Sequence, residues 1–330
     1  MKAAQCTAYG PPEIVRVADV PVPALGAGQV RVRVGAAAVN YPDVLLVAGE
    51  YQLPVAPPFV PGSEFAGVVE AVADDVSGIR VGDRVSGTTM VGAFAERAVV
   101  AARSVTPAPD GVDLAEAAAF GVAHRTAYHA LHTVAGIAAG QELVVLGAGG
   151  GVGLAAVQLG ALAGARITAV ASSARKLETA KAQGATVLID HRGGGLRAAL
   201  KEALPAGADV VLDPVGGTLA EPALRSVRWG GRFVSIGFAA GIPRLPLNLV
   251  LLKGVQVTGF QLRDLAAHLS VKFEANEERL RRLFAVGAVR PHIGAEFPLA
   301  DTAAALRRVA DGEAVGKVVI RVGDEGNTSL

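Results

Sequence analysis

The sequence predicts an α/β protein of two domains: a β-rich amino-terminal domain and, after it, a doubly wound parallel sheet. Three observations carry that reading. Residues 1 to about 115 read as short apolar strands broken by glycine and proline turns. The composition then shifts to an alanine-rich helical stretch, and beyond it strand and helix patterns alternate. The expected boundaries are 1–118 for the first domain, 119–262 for the sheet domain, and 263–330 for a segment that returns to complete the first.

In the first domain, residues 30–34 alternate valine with arginine, residues 65–72 form an apolar run after Pro61-Gly62, and Gly82-Asp83 precedes another. In the second, apolar runs predict strands at 143–146, 166–171, 186–189, 210–212, 232–236 and 255–260, enough for a complete six-stranded doubly wound sheet. Residues 276–286 then form a charged amphipathic helix. Residues 293–298, 301–310 and 317–322 read as strand, helix and strand, and the final octapeptide as a loose tail.

The totals exclude several classes. A chain of 330 residues with 51% hydrophobic and 18% charged residues is globular rather than disordered. Thirty-one Lys and Arg against thirty Asp and Glu leave a net charge of +1, so no global field favours nucleic acid. No uninterrupted apolar span approaches the roughly twenty residues of a membrane helix. The first ten residues lack the apolar core of an export signal, which leads us to expect a cytoplasmic protein without a membrane partner. The single cysteine, Cys6, excludes an internal disulfide and any multi-cysteine zinc site.

The chemistry concentrates in Leu-Val-Val-Leu-Gly-Ala-Gly-Gly-Gly-Val-Gly, residues 143–153. Here an apolar strand ends in a glycine-rich turn, and Leu154, Val157, Leu159 and Leu162 follow at roughly helical spacing. Glycine permits a tight turn, close backbone approach to a pyrophosphate, and close packing of helix on strand. The free N–H groups of the helix start then face the phosphates. The register that fits places Ala148, Gly149, Gly150, Gly151, Val152 and Gly153 against the cofactor, with alanine in the first glycine position.

An acid about twenty residues further on would hold the ribose hydroxyls of NAD. The second strand instead ends in Ser172, Ser173, Ala174, Arg175 and Lys176. Two hydroxyls and two cations suit the added phosphate of NADPH, with Lys176 as the point charge. A purely structural alternative has Ser173 capping the next helix and Lys176 solvated. His124, His129 and His132 form the one local histidine group; on an alanine-rich helix without a cysteine nearby, a structural role outweighs a metal site.

Across nearly its full length the chain resembles the zinc-independent members of the medium-chain dehydrogenase/reductase superfamily, in the quinone oxidoreductase group. The resemblance rests on Ala38-Val39-Asn40, residues 61–67 from Pro61-Gly62 to Gly67, and Gly82-Asp83-Arg84-Val85. Further along it rests on Thr126-Ala127-Tyr128, Gly150-Gly151-Val152-Gly153, Asp213-Pro214-Val215-Gly216-Gly217 and Gly316-Lys317-Val318-Val319. It implies a GroES-like catalytic domain joined to a Rossmann domain, with NADPH delivering hydride to a quinone or an α,β-unsaturated carbonyl compound. The zinc enzymes of the superfamily carry a cysteine near residue 40 and a histidine after the Pro-Gly turn. This chain has Asn40 and Tyr41 in the one place and Ser63 before Glu64 in the other, so no metal is expected.

By the same resemblance, Asn40 contacts cofactor or substrate, and Tyr41, Asp43 and Tyr51 line the acceptor pocket. Tyr51 is the first choice to donate a hydrogen bond to developing oxyanion charge. Several relatives have a tyrosine where this chain has Leu45, so solvent is the alternative proton source. Thr126 stands beside the nicotinamide. Val215, Gly237, Phe238 and Ala240 follow strand ends in the cofactor shell, Phe260 and Leu262 approach the nicotinamide, Lys317 lies on the phosphate side, and His191 near the adenosine phosphate. A homodimer paired through the final strand, residues 251–260, is also expected. Two other readings remain: an enoyl-CoA or enoyl thioester reductase, and a non-catalytic nucleotide-binding structural protein.

Overall fold

A computed structural model describes residues 1–322; the expected carboxyl-terminal tail lies outside the described residues. The chain divides into two compact units, Met1–Val122 with Ile293–Leu330, and Ala123–His292. The boundary falls inside the helix Leu114–Tyr128.

The first unit is built on a sheet whose centre is the long strand Gln29–Val39, paired antiparallel with Glu64–Val72 on one side and Lys317–Arg321 on the other. Ile293–Pro298 extends it beyond Lys317–Arg321, and Arg84–Thr88 and Val105–Pro107 extend it beyond Glu64–Val72. Alternating Val30, Val32 and Val34 put one face of the central strand into a core with Phe65, Val69, Phe94 and Ile320. The returning strand, helix and strand thus take the expected places, with Thr302–Ala310 as the helix.

The second unit holds six parallel strands in the spatial order Val187–Asp190, Arg166–Ala171, Glu142–Leu146, Ala208–Asp213, Val227–Ser235, Gln256–Gly259. Numbered along the chain, that order is 3-2-1-4-5-6, the arrangement of a doubly wound dinucleotide-binding sheet. Its strands are apolar on both faces because helices cover both, and the successive residues Leu143, Val144, Val145 and Leu146 are all fully buried.

Two expectations need correction. Residues 263–292 belong to the second unit, not to a segment returning to the first. The helix Ser270–Ala285 packs on the segment following Leu114–Tyr128, and its Glu277 accepts from Arg125 Nε at 2.8 Å and pairs with His129 Nε2 at 3.0 Å. Residues 251–253 are not strand but the end of the helix Leu247–Lys253, which closes on Gly254 at φ 58° before the short strand Gln256–Gly259. A run of leucines and valines has no period that separates helix from strand.

Candidate functional site

In the second unit, the turn at residues 147–150 leaves the carboxyl end of Glu142–Leu146, the first strand in chain order. That strand neighbours Ala208–Asp213, the fourth, so their carboxyl ends flank the point where strand order reverses. Gly150 is the N-cap of the helix Gly151–Leu162, and no side chain caps it; the first helical hydrogen bond runs from Leu154 N–H to Gly150 O. The N–H groups of Gly151, Val152 and Gly153 therefore form the open amino end of the helix, the arrangement that receives a phosphate. A Cβ on Gly153 would lie 2.1 Å from Gly147 O, so only glycine lets the helix sit this close to the turn. The cradle fits a dinucleotide pyrophosphate.

Beside the turn stands Lys176. A Cβ on Gly149 would meet Lys176 Cβ at 2.4 Å, which places the lysine stem directly over the glycines. Its ammonium donates to Ser172 Oγ at 3.2 Å. Ser173 Oγ accepts from Lys176 N–H at 3.4 Å and caps the helix Ala174–Ala182. The capping role weighed for Ser173 is thus present, and its hydroxyl proton stays available to donate. His191 follows the third strand; burial pushes its pKa down, and the charges of Arg192 and Lys176 add to the fall against the pull of Asp190. Ser172, Lys176 and His191 therefore share one electropositive neighbourhood.

The loops after the fourth and fifth strands are pinned together. Asp213 is fully buried and its Oδ1 accepts from the N–H groups of Val215 and Gly216 at 2.8 Å each. Ala240 N–H reaches Val215 O at 2.8 Å, and Gly217 N–H reaches Gly241 O at 2.7 Å. A Cβ on Gly147 would touch Val215 Cγ2 at 2.7 Å, so Val215 borders the glycine turn. Gly237 closes against Pro214 O, and Phe238 is exposed. Phe260 and Leu262 are half-buried just past the sixth strand. Asp213 had no role assigned from sequence; an acid ending an apolar strand before Pro-Val-Gly-Gly is the signal that could have identified it as a turn anchor.

In the first unit, a buried polar cluster forms where three strand ends meet. Val318 lies opposite Val39, and Phe65 opposite Ala37, which brings Lys317 and Glu64 to either side of Asn40. Lys317 Nζ donates to Asn40 Oδ1 at 2.6 Å, Glu64 Oε2 at 3.1 Å and Val39 O at 3.3 Å. Asn40 Nδ2 donates to the same Glu64 oxygen at 3.1 Å, and Glu64 Oε1 accepts from Val122 N–H at 2.6 Å. Lys317 and Glu64 are 4% and 1% exposed. With three acceptors on three N–H donors, Lys317 has none left for a phosphate, which corrects its expected cofactor contact. Asn40 likewise has both ends of its amide engaged.

Asp43 is also corrected. It is 0% exposed and its Oδ2 accepts from Asn40 N–H at 2.7 Å, so it ties down the start of the helix Tyr41–Ala48 rather than lining a pocket. Burial pushes its pKa up to about 7. The Asn40 N–H, the Ser63 hydroxyl and the Lys317 charge oppose the rise, while the Glu64 carboxylate adds to it. Tyr41 opens that helix half-buried, and Tyr51 is half-buried against the first unit's core.

Thr126 is half-buried on the helix Leu114–Tyr128 of the second unit. The neighbouring histidines are structural. His124 Nε2 meets Gln158 Oε1 at 3.3 Å, His129 is buried between Thr133 and Glu277, and His132 packs on Tyr128 with ring centroids 4.3 Å apart. Among the described residues no group of three or more His, Cys, Asp or Glu is placed to hold a metal ion. No helix among them is long and apolar enough to cross a membrane.

Two family models match the two units: the alcohol dehydrogenase GroES-like domain over residues 26–110, and the zinc-binding dehydrogenase domain over residues 151–278. Quinone oxidoreductase-like protein 2 of Mus musculus is 34% identical over 97% of this chain and 91% of its own length. The chain belongs to the quinone oxidoreductase group of the medium-chain dehydrogenase/reductase superfamily. Solved structures of that group agree. Quinone oxidoreductase of Escherichia coli, complexed with NADPH, superposes with a TM-score of 0.91 at 25% identity over 98% of this chain and all of that one. The quinone oxidoreductase of Thermus thermophilus, also solved with NADPH, gives 0.83 at 35% identity over 98% and 100%. The zinc-binding dehydrogenase match runs to residue 278, well into the segment that the second unit claims.

Proposed function

We propose that the protein is an NADPH-dependent reductase that transfers hydride to quinones or α,β-unsaturated carbonyl compounds. The observation that carries the cofactor choice is Lys176, its stem over Gly149 and its ammonium on Ser172, where a site selective for NADH would present an acid. The NADPH complexes of its Escherichia coli and Thermus thermophilus relatives support the same choice. When bound, the cofactor supplies a hydride from its reduced nicotinamide. Gly149–Gly153 receive the pyrophosphate, Ser172, Lys176 and His191 the added phosphate, and the Val215 and Gly237–Ala240 loops border the dinucleotide.

The chain's own part in the chemistry is position and polarity. Tyr51 donates its phenolic O–H to the acceptor oxygen as negative charge gathers there, and Tyr41 shapes the acceptor's contact surface. Solvent supplies the final proton, since Leu45 replaces the tyrosine of several relatives. Asn40, saturated by Lys317 and Glu64, holds the helix bearing Tyr41 in place. An NADPH oxidation screen with a quinone and enone panel beside an enoyl-CoA panel tests the reading. Turnover confined to enoyl thioesters would transfer the assignment to that class, and binding without turnover on either would leave a nucleotide-binding protein.

Two further outcomes follow from this reading. Exhaustive chelation should leave turnover intact, because neither the cysteine near residue 40 nor the histidine after Pro61-Gly62 is present. Stoichiometric zinc whose removal abolishes activity is the contrary result. The protein should also be a homodimer. Gln256–Gly259 is an edge of the six-stranded sheet, Val257 is exposed, and Leu247, Leu251 and Leu252 stand exposed on the preceding helix. An uncovered apolar edge pairs most simply with its own copy across a twofold axis. Light scattering at micromolar concentration should report about twice the chain mass, falling to the monomer in Val257→Lys. A native monomer, or a dimer indifferent to that charge, rules the edge out.

A further inference from the structure

The parallel sheet of the second unit has two ends, and the glycine turn uses only one. At the other, where the strands Ala208–Asp213 and Val227–Ser235 begin, lies a cavity of about 420 Å³. Five cations line it, Arg197, Lys201, Arg225, Arg228 and Lys253, and no acid does. Three of them are held in place. Arg225 pairs with Glu221 at 2.7 Å, Arg228 with Asp209 at 2.6 Å, and Lys253 Nζ donates to the carbonyls of Arg225 and Val227 at 2.5 and 2.6 Å.

Arg197 and Lys201 are different. They stand one turn apart on the exposed side of the helix Leu196–Ala203, and neither makes an ion pair or hydrogen bond with a described residue. Like charges at that spacing repel and weaken a helix. Cations in a last turn answer the helix dipole, which accounts for Lys201, Arg225 and Lys253. Arg197 sits in the first turn, where the same dipole disfavours a cation. Apart from Ser226, the other side chains of the lining are apolar: Leu204 and Leu249 are buried, and Trp229 is 78% exposed.

We propose that this cavity binds an organic polyphosphate that carries a flat ring, at a site separate from the dinucleotide turn. Phosphate oxygens engage the unpaired Arg197 and Lys201, and the ring lies against the Trp229 indole above Leu204 and Leu249. A bare anion would leave the apolar lining unused, and an apolar ligand would strand the cations. The volume suits a ligand of nucleotide size.

Trp229 is the single tryptophan of the chain, so its emission reports on this cavity directly. ATP is the probe, titrated into the full-length protein with one equivalent of NADP⁺ to occupy the glycine turn, so that no free dinucleotide competes for the cavity. The expected result is a saturable change in emission. Adenosine alone and tripolyphosphate alone should each bind at least about tenfold more weakly. The double variant Arg197→Glu/Lys201→Glu should lose the response by at least about tenfold while binding NADPH as the native protein does, which also verifies its fold. No emission change with native protein, or an identical titration in the double variant, overturns the proposal. Tripolyphosphate as effective as ATP overturns the ring contact and with it the proposed ligand class.

Discussion

Asp43→Asn is expected to make the protein more stable than the native chain above pH 7 and to leave it nearly unchanged near pH 4. Burial raises the Asp43 pKa from 3.8 to about 7. The folded state thus keeps a proton that the unfolded chain releases across that interval. The associated stability is fully present below the unfolded pKa and is lost as pH rises to about 7, a loss of about 4 kcal/mol. Asparagine is neutral throughout, and its amide oxygen can still accept the Asn40 N–H that now goes to Asp43 Oδ2. Denaturant unfolding of both proteins from pH 4 to 9 measures the effect. The difference between the two curves should climb between about pH 4 and 7 and level off above. Parallel curves would mean that Asp43 is ionised in the fold at all these values.

Lys176→Ala should weaken NADPH binding by about ten- to hundredfold while changing NADH binding little, since a charged hydrogen bond is worth about 1.5–3 kcal/mol. The added phosphate is the one feature that separates the two cofactors, so the ratio of affinities isolates the contact. Equal affinity of the native protein for both, or equal loss of both in the variant, would remove Lys176 from the phosphate site. Raising salt should shrink the preference, because the half-buried ammonium is partly screened.

The strands of the second unit were readable because each is a short apolar run between glycine or polar turns, and the fixed right-handed strand–helix–strand connection leaves little choice of order. The glycine turn and the serine–lysine end of the second strand were readable for the same reason: their partners lie within thirty or so residues along one βαβ unit. The first unit's cluster was not. The resemblance sets Lys317 on the phosphate side of the cofactor, and only the register that places Val318 opposite Val39 delivers it to Glu64 and Asn40. The pairing of Arg125 and His129 with Glu277 spans about 150 residues and leaves no local pattern, so nothing near the helix Ser270–Ala285 in sequence marks it as part of the second unit. Leu247–Lys253 failed differently: its composition suits a strand, and Pro246 and Gly254 alone mark a helix.

The insertion of one unit within the other has a consequence for biosynthesis. Residues 123–292 are contiguous and can collapse as soon as they leave the ribosome, whereas the first unit's sheet lacks Lys317–Arg321 until all of the second unit has emerged. Through that interval one side of Gln29–Val39 has no Lys317–Arg321 to pair with, and Glu64 waits without the cation that later neutralises it. The domain that begins first finishes last, and the nascent chain presents a strand edge to chaperones that the finished protein conceals.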